Sequence, residues 1–543
     1  MSDYESISGA EMYQIMKDIC EFGYRRAGTP IAVKSENYIY QKLKKAKLPE
    51  VKLDEFKFTR WWAEKQELKL IAEGTPSIPS DQIIETFPVH LSGFTDPEGV
   101  VAEMVYVGYG TSVDFEKIDV ENKIVLVDGI MVLNFAPSQQ VNLFNSLNLA
   151  KKKGALGAIF TNNSPLDSIS YVGVDEVRGW KRRLPALSVN NFDGQYLRTL
   201  CTRNQVKLTV KLTLDVKTEQ APSSMILGTL PGKTDDIILI GTHVDSTFTG
   251  AVDNAGANAG LISLAKYFAQ TPLEKRDKTI VFAGWTGHEC GLIGTFQFHS
   301  MYPEMVKKIA TFIMLDGFGS KGWYNQVEGG VVETGLDERR GLFVSDNSLL
   351  WPIVKDAVFK YNLLPAAYVS ARQLPVSDLP PFIFANVPSI MIIGKPVFYH
   401  TKYDTVDKCT PDQLERTAKA HAYLIEKIQE LPASDIISAD AQEMDMKSYI
   451  TEREGITPPH VSFSILPYPI TEGFSAIFYP TVMSAPESIL LELEWDFGDG
   501  EKSPRILTRH AYEKAGIYEV TLRAMDNFGN ITTEKRTVRV IKK

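Results

Sequence analysis

Apolar positions along the chain change period from stretch to stretch. From about Gly9 to Lys47, Met12, Ile15, Met16, Ile19 and Phe22, then Tyr38, Tyr40 and Leu43, recur at helical spacing. The pattern predicts two helices broken near Gly28-Thr29-Pro30. From about Val51 to Glu103 short β-like runs such as LKLIA alternate with Pro-rich breaks. KIVLVDG and GALGAIFTNN then read as buried strands, with a helix near Asn142 to Lys153 leading into the second. LPALSVNNFDGQYLRTL reads as strand, turn and helix.

Between about Leu227 and Leu431 apolar strands alternate with amphipathic helices. DDIILIGTH, KTIVFAGWT, IATFIMLDG and PSIMIIG are the strands; GLISLAKYFAQ, PIVKDAVFKYN and PDQLERTAKAHAYLIEKI are the helices. Such alternation implies a mostly parallel sheet covered on both faces, with any site beyond the carboxyl ends of its strands. The polar stretch PASDIISADAQEMDMKSYITEREG reads as a linker. After it, EVTLRA and RTVRVI alternate between Gly, Asn and Asp turns, predicting an antiparallel sandwich from about Ile456 to Lys543. The expected division is 1–98 and 216–432 for the core, 99–215 for an insert, 433–455 for the linker and 456–543 for the sandwich.

Bulk properties narrow the function. A chain of 543 residues is too long for one core. A formal net charge of -9 with no basic run argues against a nucleic-acid partner. No stretch approaches the roughly 18 apolar residues of a membrane span, so no membrane partner is expected; a homo-oligomer stays open. The start, MSDYESISGAEMYQIMKDIC, lacks the pattern of a signal peptide, which gives cytoplasmic location as the expectation, or secretion if a leader was removed. Cys20, Cys201, Cys290 and Cys409 are scattered and form no CxxC pair, so free thiols are expected.

Five residues able to bind a metal fall at or just beyond strand ends: His243 after IILIGT, Asp253 at the next helix start, Glu289 after TIVFAGWTG, Asp316 after ATFIML and His400 after PSIMIIG. Each has an ordinary explanation alone, as a loop hydrogen-bonder, an N-cap or a first-turn carboxylate. Together, in one domain and delivered to one sheet edge, two imidazoles and three carboxylates suit a divalent transition metal, zinc above all, with iron or manganese as alternatives. A carboxylate shared by two cations would hold both over one water.

H-V-D-S at His243 to Ser246, V-D-N-A at Val252 to Ala255, W-T-G-x-E-x-G-L-I-G ending at Gly294, M-L-D-G-F-G at Met314 to Gly319, S-D at Ser377-Asp378 and Y-H-T-x-x-D-T at Tyr399 to Thr405 together resemble the di-zinc aminopeptidase family. That family includes bacterial leucyl aminopeptidases, glutamate carboxypeptidase II and glutaminyl cyclases. RRAGTP at Arg25 to Pro30 is similar to its N-terminal helix region. The resemblance implies an α/β fold, a phosphorylase/hydrolase-like, mostly parallel sheet sandwiched by helices. Residues of about 99–215 resemble a small α/β protease-associated insert, with no chemistry of its own. WDFGDGE and HAYEKAGIYEVTLRAMDNFGN resemble a PKD domain, a C-terminal all-β immunoglobulin-like unit. Asp496, Asp499 and Asp526 there suit calcium, or more simply turn formation.

By this resemblance two zinc ions are implied. Asp253 bridges them, His243 and Asp316 complete one, and Glu289 and His400 the other. Asp245 orients the His243 imidazole, the Asp253-Asn254 peptide is cis, and Tyr399 either binds substrate or its oxyanion, or packs beside the site. The chain departs from the family at His288, where the general-base glutamate is expected. Histidine can serve as a base near neutral pH, so the leading expectation is an aminopeptidase-like metallohydrolase acting on a peptide. The alternatives are a metallohydrolase acting on a small amide, lactam or cyclic ketone, and a noncatalytic metal-bearing binding protein. Gly256-Ala257, where Ser-Gly is usual, is a smaller departure.

Overall fold

The computed structural model describes residues 4–71, 81–128, 146–162, 164–173, 183–202, 207–325, 330–394, 396–440, 444, 446–451, 453, 455–466, 468–485, 487–505 and 508–542. Helices α1 (Gly9–Cys20) and α2 (Pro30–Lys45) open it. Ser8 caps the first by accepting from the Glu11 N–H; Thr29 caps the second, with Pro30 in its first turn.

A single strand of 22 residues follows, β1 (Glu50–Ile71), where several short ones were expected. The stretch holds neither glycine nor proline, so nothing in it ends an extended run. Beyond it β2 (Val100–Tyr106), β3 (Ile124–Asp128), β4 (Gly157–Thr161) and β5 (Ala186–Val189) pair in parallel as a small sheet. Leu197 and Leu200 of α3 (Asn191–Thr202) pack into its core. Of the helix expected at 142–153, residues 146–152 are helical, and 142–145 lie outside the described residues. Strand β6 (Thr209–Leu230) then returns antiparallel along β1, from Ile71 opposite Thr209 to Glu50 opposite Thr229. The inserted segment is thus carried on a long two-stranded stalk whose far end enters the core.

The core contains β7 (Thr234–His243), α4 (Gly256–Phe268), β8 (Lys278–Trp285), β9 (Ile309–Leu315), β10 (Arg340–Val344), α5 (Leu350–Lys360), β11 (Ala366–Ser370), α6 (Leu379–Phe384), β12 (Ser389–Gly394) and α7 (Pro411–Gln429). The strand order is β6-β8-β7-β9-β12-β10-β11. Strands β8, β7, β9 and β12 run parallel, while β6 and β10 pair antiparallel at their flanks, so the sheet is mixed. Side chains alternate along these strands. Ile238, Ile240, Phe282 and Ile313 pack under α1, α4, α5 and α7. Leu239, Val281, Phe312 and Met314 pack on the opposite face with Phe298, Leu379 and Phe382. Both faces are therefore covered, and the parallel strands end together at His243, Trp285, Leu315 and Gly394.

The stretch expected as a linker begins with a helix, α8 (Ala433–Ala439). Its Ile436 is buried and its carbonyl accepts from Asn347 Nδ2. The C-terminal unit is a sandwich. One sheet holds β13 (His460–Leu466), β14 (Ser475–Met483) and β16 (Thr508–Ala511); the other holds β15 (Ile489–Asp496), β17 (Gly516–Asp526) and β18 (Ile531–Ile541). Phe478, Trp495 and Leu522 fill the space between them. Asp496, Asp499 and Asp526 accept main-chain N–H groups two residues on, at Gly498, Glu501 and Phe528. They are turn-formers. Strand β15 also joins the outer edge of β11 in parallel, with Ile489 opposite Ala366 and Leu490 opposite Ala367. Among the described residues no helix is long and apolar enough to cross a membrane. The four cysteines are free thiols.

Candidate metal centre

Each proposed ligand is held by a different part of one sheet edge. His243 ends β7 and is fully buried. Its Nδ1 lies 3.0 Å from the Asp245 carbonyl, which places the proton there and leaves Nε2 as a bare acceptor. Asp253 sits in the tight loop before α4. The loop is built around Gly250 (φ 53°), where a Cβ would lie 2.2 Å from the Asp253 carbonyl oxygen. The Asp253-Asn254 peptide is cis. Asp404, buried, accepts from the Val252 and Asp253 N–H groups at 2.9 and 3.0 Å and so fixes the loop; burial pushes its carboxyl up to about 7. Asn254 donates to the Leu315 carbonyl at 3.2 Å and accepts from Gly317 N–H at 3.2 Å, tying the loop to the Asp316 turn.

Glu289 lies in a short helical turn between Gly287 and Gly291 after β8. The Asp245 carboxylate accepts from the N–H groups of His288 (3.3 Å) and Glu289 (3.1 Å). The Asp245 carboxylate thus mainly anchors the Glu289 turn, and it is the main-chain carbonyl of Asp245 that orients His243. Asp316 follows β9 and accepts from Ser377 Oγ at 2.6 Å. His400 stands on the loop after β12 with φ 59°.

The ligand atoms converge in two groups that share one residue. His243 Nε2 is 3.1 Å from Asp253 Oδ1 and 3.8 Å from Asp316 Oδ1. His400 Nε2 is 3.1 Å from both Asp253 Oδ2 and Glu289 Oε2. Within each trio the ligand atoms all lie within 4.8 Å of one another. Asp253 thus turns one oxygen to each group. His243 Nε2, Asp253 Oδ2, Glu289 Oε1 and His400 Nε2 are buried without a hydrogen-bond partner. Buried acceptors aimed at each other are costly unless protons or cations lie between them. Without cations, protons answer that demand. Burial would depress the His243 imidazole, but Asp245, Asp253 and Asp316 raise it well above its ordinary value. Burial likewise opposes, and Glu289 and Asp253 outweigh it, in lifting His400 to about 9. Two imidazoles and three carboxylates, one of them shared, fit a pair of divalent ions of the zinc type.

His288 is stacked on His243 with ring centres 4.1 Å apart, and its Nδ1 is 3.1 Å from Asp378 Oδ2. Asp378 is buried and also accepts from Trp285 Nε1 at 2.9 Å and from Thr295 Oγ1. Burial and His243 depress His288, yet Asp378 carries it up to about 9. The sequence pattern included Asp378 within a motif but gave it no partner, because a contact between positions 288 and 378 leaves no mark on spacing. Asp404 was passed over in the same way. Tyr399 is stacked on the His400 ring, centres 3.6 Å apart.

Comparison with known proteins completes the picture. The family model described as Peptidase family M28 matches residues 225–425, the segment that holds all five ligands. The chain carries a peptidase family M28 domain. A PKD domain model matches residues 457–541. A probable leucine aminopeptidase 2 of Trichophyton verrucosum is 28% identical to the chain over 179 residues, 32% of this chain and 34% of that protein. The chain thus aligns with about a third of the length of this relative. Human carboxypeptidase Q is 21% identical over 425 residues, 75% of this chain and 84% of that one. The solved zinc aminopeptidase of Bacillus subtilis has a TM-score of 0.60 at 21% identity, covering 79% of this chain and 98% of that one, and so shares the fold. The M28 domain alone accounts for the ligand set.

Proposed function

We propose that the M28 domain is a metal-dependent hydrolase that cleaves an amide bond, acting as an exopeptidase that releases residues from the amino terminus of a peptide. The observation that carries this reading is the pair of ligand trios sharing Asp253, with unpartnered buried nitrogen and oxygen atoms facing one another. A pair of bound zinc ions would supply an activated water and polarise the scissile carbonyl. His243, Asp253 and Asp316 would hold one, and Asp253, Glu289 and His400 the other.

His288 is the base in this scheme. Asp378 accepts a hydrogen bond from Nδ1–H, so that in the neutral ring Nε2 is free to take a proton from the water and return it to the leaving nitrogen. Asp378 favours the charged ring, whereas two neighbouring cations disfavour it. The two influences oppose each other at this ring. Tyr399, stacked on the His400 ring, is assigned here to steady the substrate or its developing oxyanion. The His288–Asp378 pair also favours a second reading, hydrolysis of a small amide, lactam or cyclic ketone, because the proton would be handled by a cation-acid rather than by a carboxylic acid.

Metal analysis joined to an activity panel of dipeptides, aminoacyl reporters, amides, lactams and cyclic ketones tests these readings on wild type and His288→Glu. Wild type is expected to hold two equivalents of zinc, to cleave peptides and to lose activity on chelation. Peptidase activity in His288→Glu but absent from wild type would assign the natural reaction to the second reading.

A further inference from the structure

The two halves of the metal centre are supported from different parts of the chain. Among the described residues, His243 and Asp316 are braced by core residues: the Asp245 carbonyl and the Asn258 amide for His243, and the Ser377 hydroxyl for Asp316. Glu289 and His400 both meet Tyr171, which belongs to the inserted segment. Its N–H donates to the His400 carbonyl at 2.8 Å, and its own carbonyl lies 3.3 Å from His400 Nδ1. Its hydroxyl donates to the Glu289 carbonyl at 2.6 Å, and its ring meets the His400 ring nearly edge-on, centres 5.8 Å apart. Tyr171 is buried. Around it the same segment is tied to the same loop: Ser170 Oγ lies 3.5 Å from the Tyr399 carbonyl, and Asp167 takes hydrogen bonds from Lys402 and Tyr403.

We propose that Tyr171 is a positioning residue for the Asp253–Glu289–His400 half, and that through it docking of the inserted segment and occupancy of that half stabilise each other. Three observations converge on this. A ligating imidazole is oriented by what its other nitrogen donates to, and for His400 the nearest acceptor is the Tyr171 carbonyl. The Tyr171 hydroxyl meanwhile holds the main chain of the second ligand in the same half. The left-handed backbone of His400 is unusual for a non-glycine residue; its carbonyl is held by the Tyr171 N–H, while the Tyr171 carbonyl faces its ring. Because coupling of binding equilibria is reciprocal, a segment that improves a metal site must itself be steadied when the metal binds. The inserted segment is therefore a part of the centre rather than only a cover for it. The inference rests on the paired-metal reading of the site.

Tyr171→Phe keeps the ring and both main-chain bonds and removes the hydroxyl bond to Glu289. Zinc titration of the metal-free full chain against a chelating dye should show one of two binding steps weakened about tenfold, the low end for losing a partner behind a ligand, with the other step unchanged. Cobalt(II) in place of zinc should show an altered visible spectrum for that one ion. Hydrogen exchange in residues 164–173 of wild type should slow on adding zinc, and His400→Ala should abolish the slowing. Equal weakening of both steps, no weakening, or exchange in 164–173 indifferent to zinc would overturn the proposal. Two ions taken up with the expected coupling, but no peptide cleaved, would overturn the assigned reaction and leave this inference standing.

Discussion

The His243–Asp316 half of the metal centre and the Glu289–His400 half have similar ligands but different foundations. The first is set by the ends of two adjacent parallel strands, β7 and β9, and by turns that hydrogen-bond to one another. The second takes one ligand from a glycine-flanked turn and one from a loop in left-handed conformation, both fastened to a residue some 120 to 230 positions earlier in the chain. A rigid sheet needs no outside brace to hold a ligand, whereas a ligand on a loop depends on whatever packs behind it. The contrast explains why an inserted segment with no ligand of its own can still bear on the metal centre.

Three changes would break or sharpen this contrast. Asp253→Ala should have the largest effect, since it removes the residue that both halves share; metal analysis should find neither ion retained and activity at background, and retention of one tightly bound ion would mean that the halves are independent. An intermediate effect is expected from pH. In the absence of metal the raised His400 imidazole carries a proton at pH 7, and it must lose it to ligate. Binding in that half should therefore release a proton and weaken about tenfold per unit as pH falls below about 9, by the ordinary linkage of proton and ligand binding. Calorimetry in buffers of different ionisation enthalpy measures this, and His400→Ala should remove that contribution. The smallest effect belongs to Asp167→Ala. It cuts exposed ties to Lys402 and Tyr403 of the kind worth ~0.2–1 kcal/mol, so the zinc step sensitive to Tyr171 should weaken only a few-fold and the other not at all.

How far the sequence was legible follows the same division. His243, Asp253, Glu289 and Asp316 could be read because each lies where a run of apolar residues ends, and a parallel sheet gathers such ends at one edge. His400 could be read because its strand, Ser389–Gly394, is a continuous apolar run only a few residues before it. The two opening helices and the C-terminal sandwich were plain from period and turn residues. Tyr171 was not readable, since most of what it does is done by its main chain, and any residue type carries an N–H and a carbonyl. Asp378 stood in a quoted motif, but its bond to His288 spans a separation no periodicity encodes. The stalk strand Glu50–Ile71 was divided too finely because polar and apolar residues mix in it; pairing with Thr209–Leu230, far along the chain, is what keeps it continuous. Strands β10 and β11 were missed because RGLFV and AAYVS hold only short apolar runs among arginine, glycine, alanine and serine.

The rung that Ile489 and Leu490 add beside Ala366 and Ala367 gives the C-terminal sandwich a standing that its separate family model conceals. Ile489, Leu491 and Met525 of the sandwich are buried in the main hydrophobic cluster of the M28 unit, while Ala367 of that unit is buried in the sandwich. A boundary drawn by homology at residue 457 therefore runs through shared interior. Cutting there would strip the rim of the last strand of its neighbour and wet a surface both units were folded around, so the chain's shortest self-sufficient form extends well past the end of its recognisable peptidase-family segment.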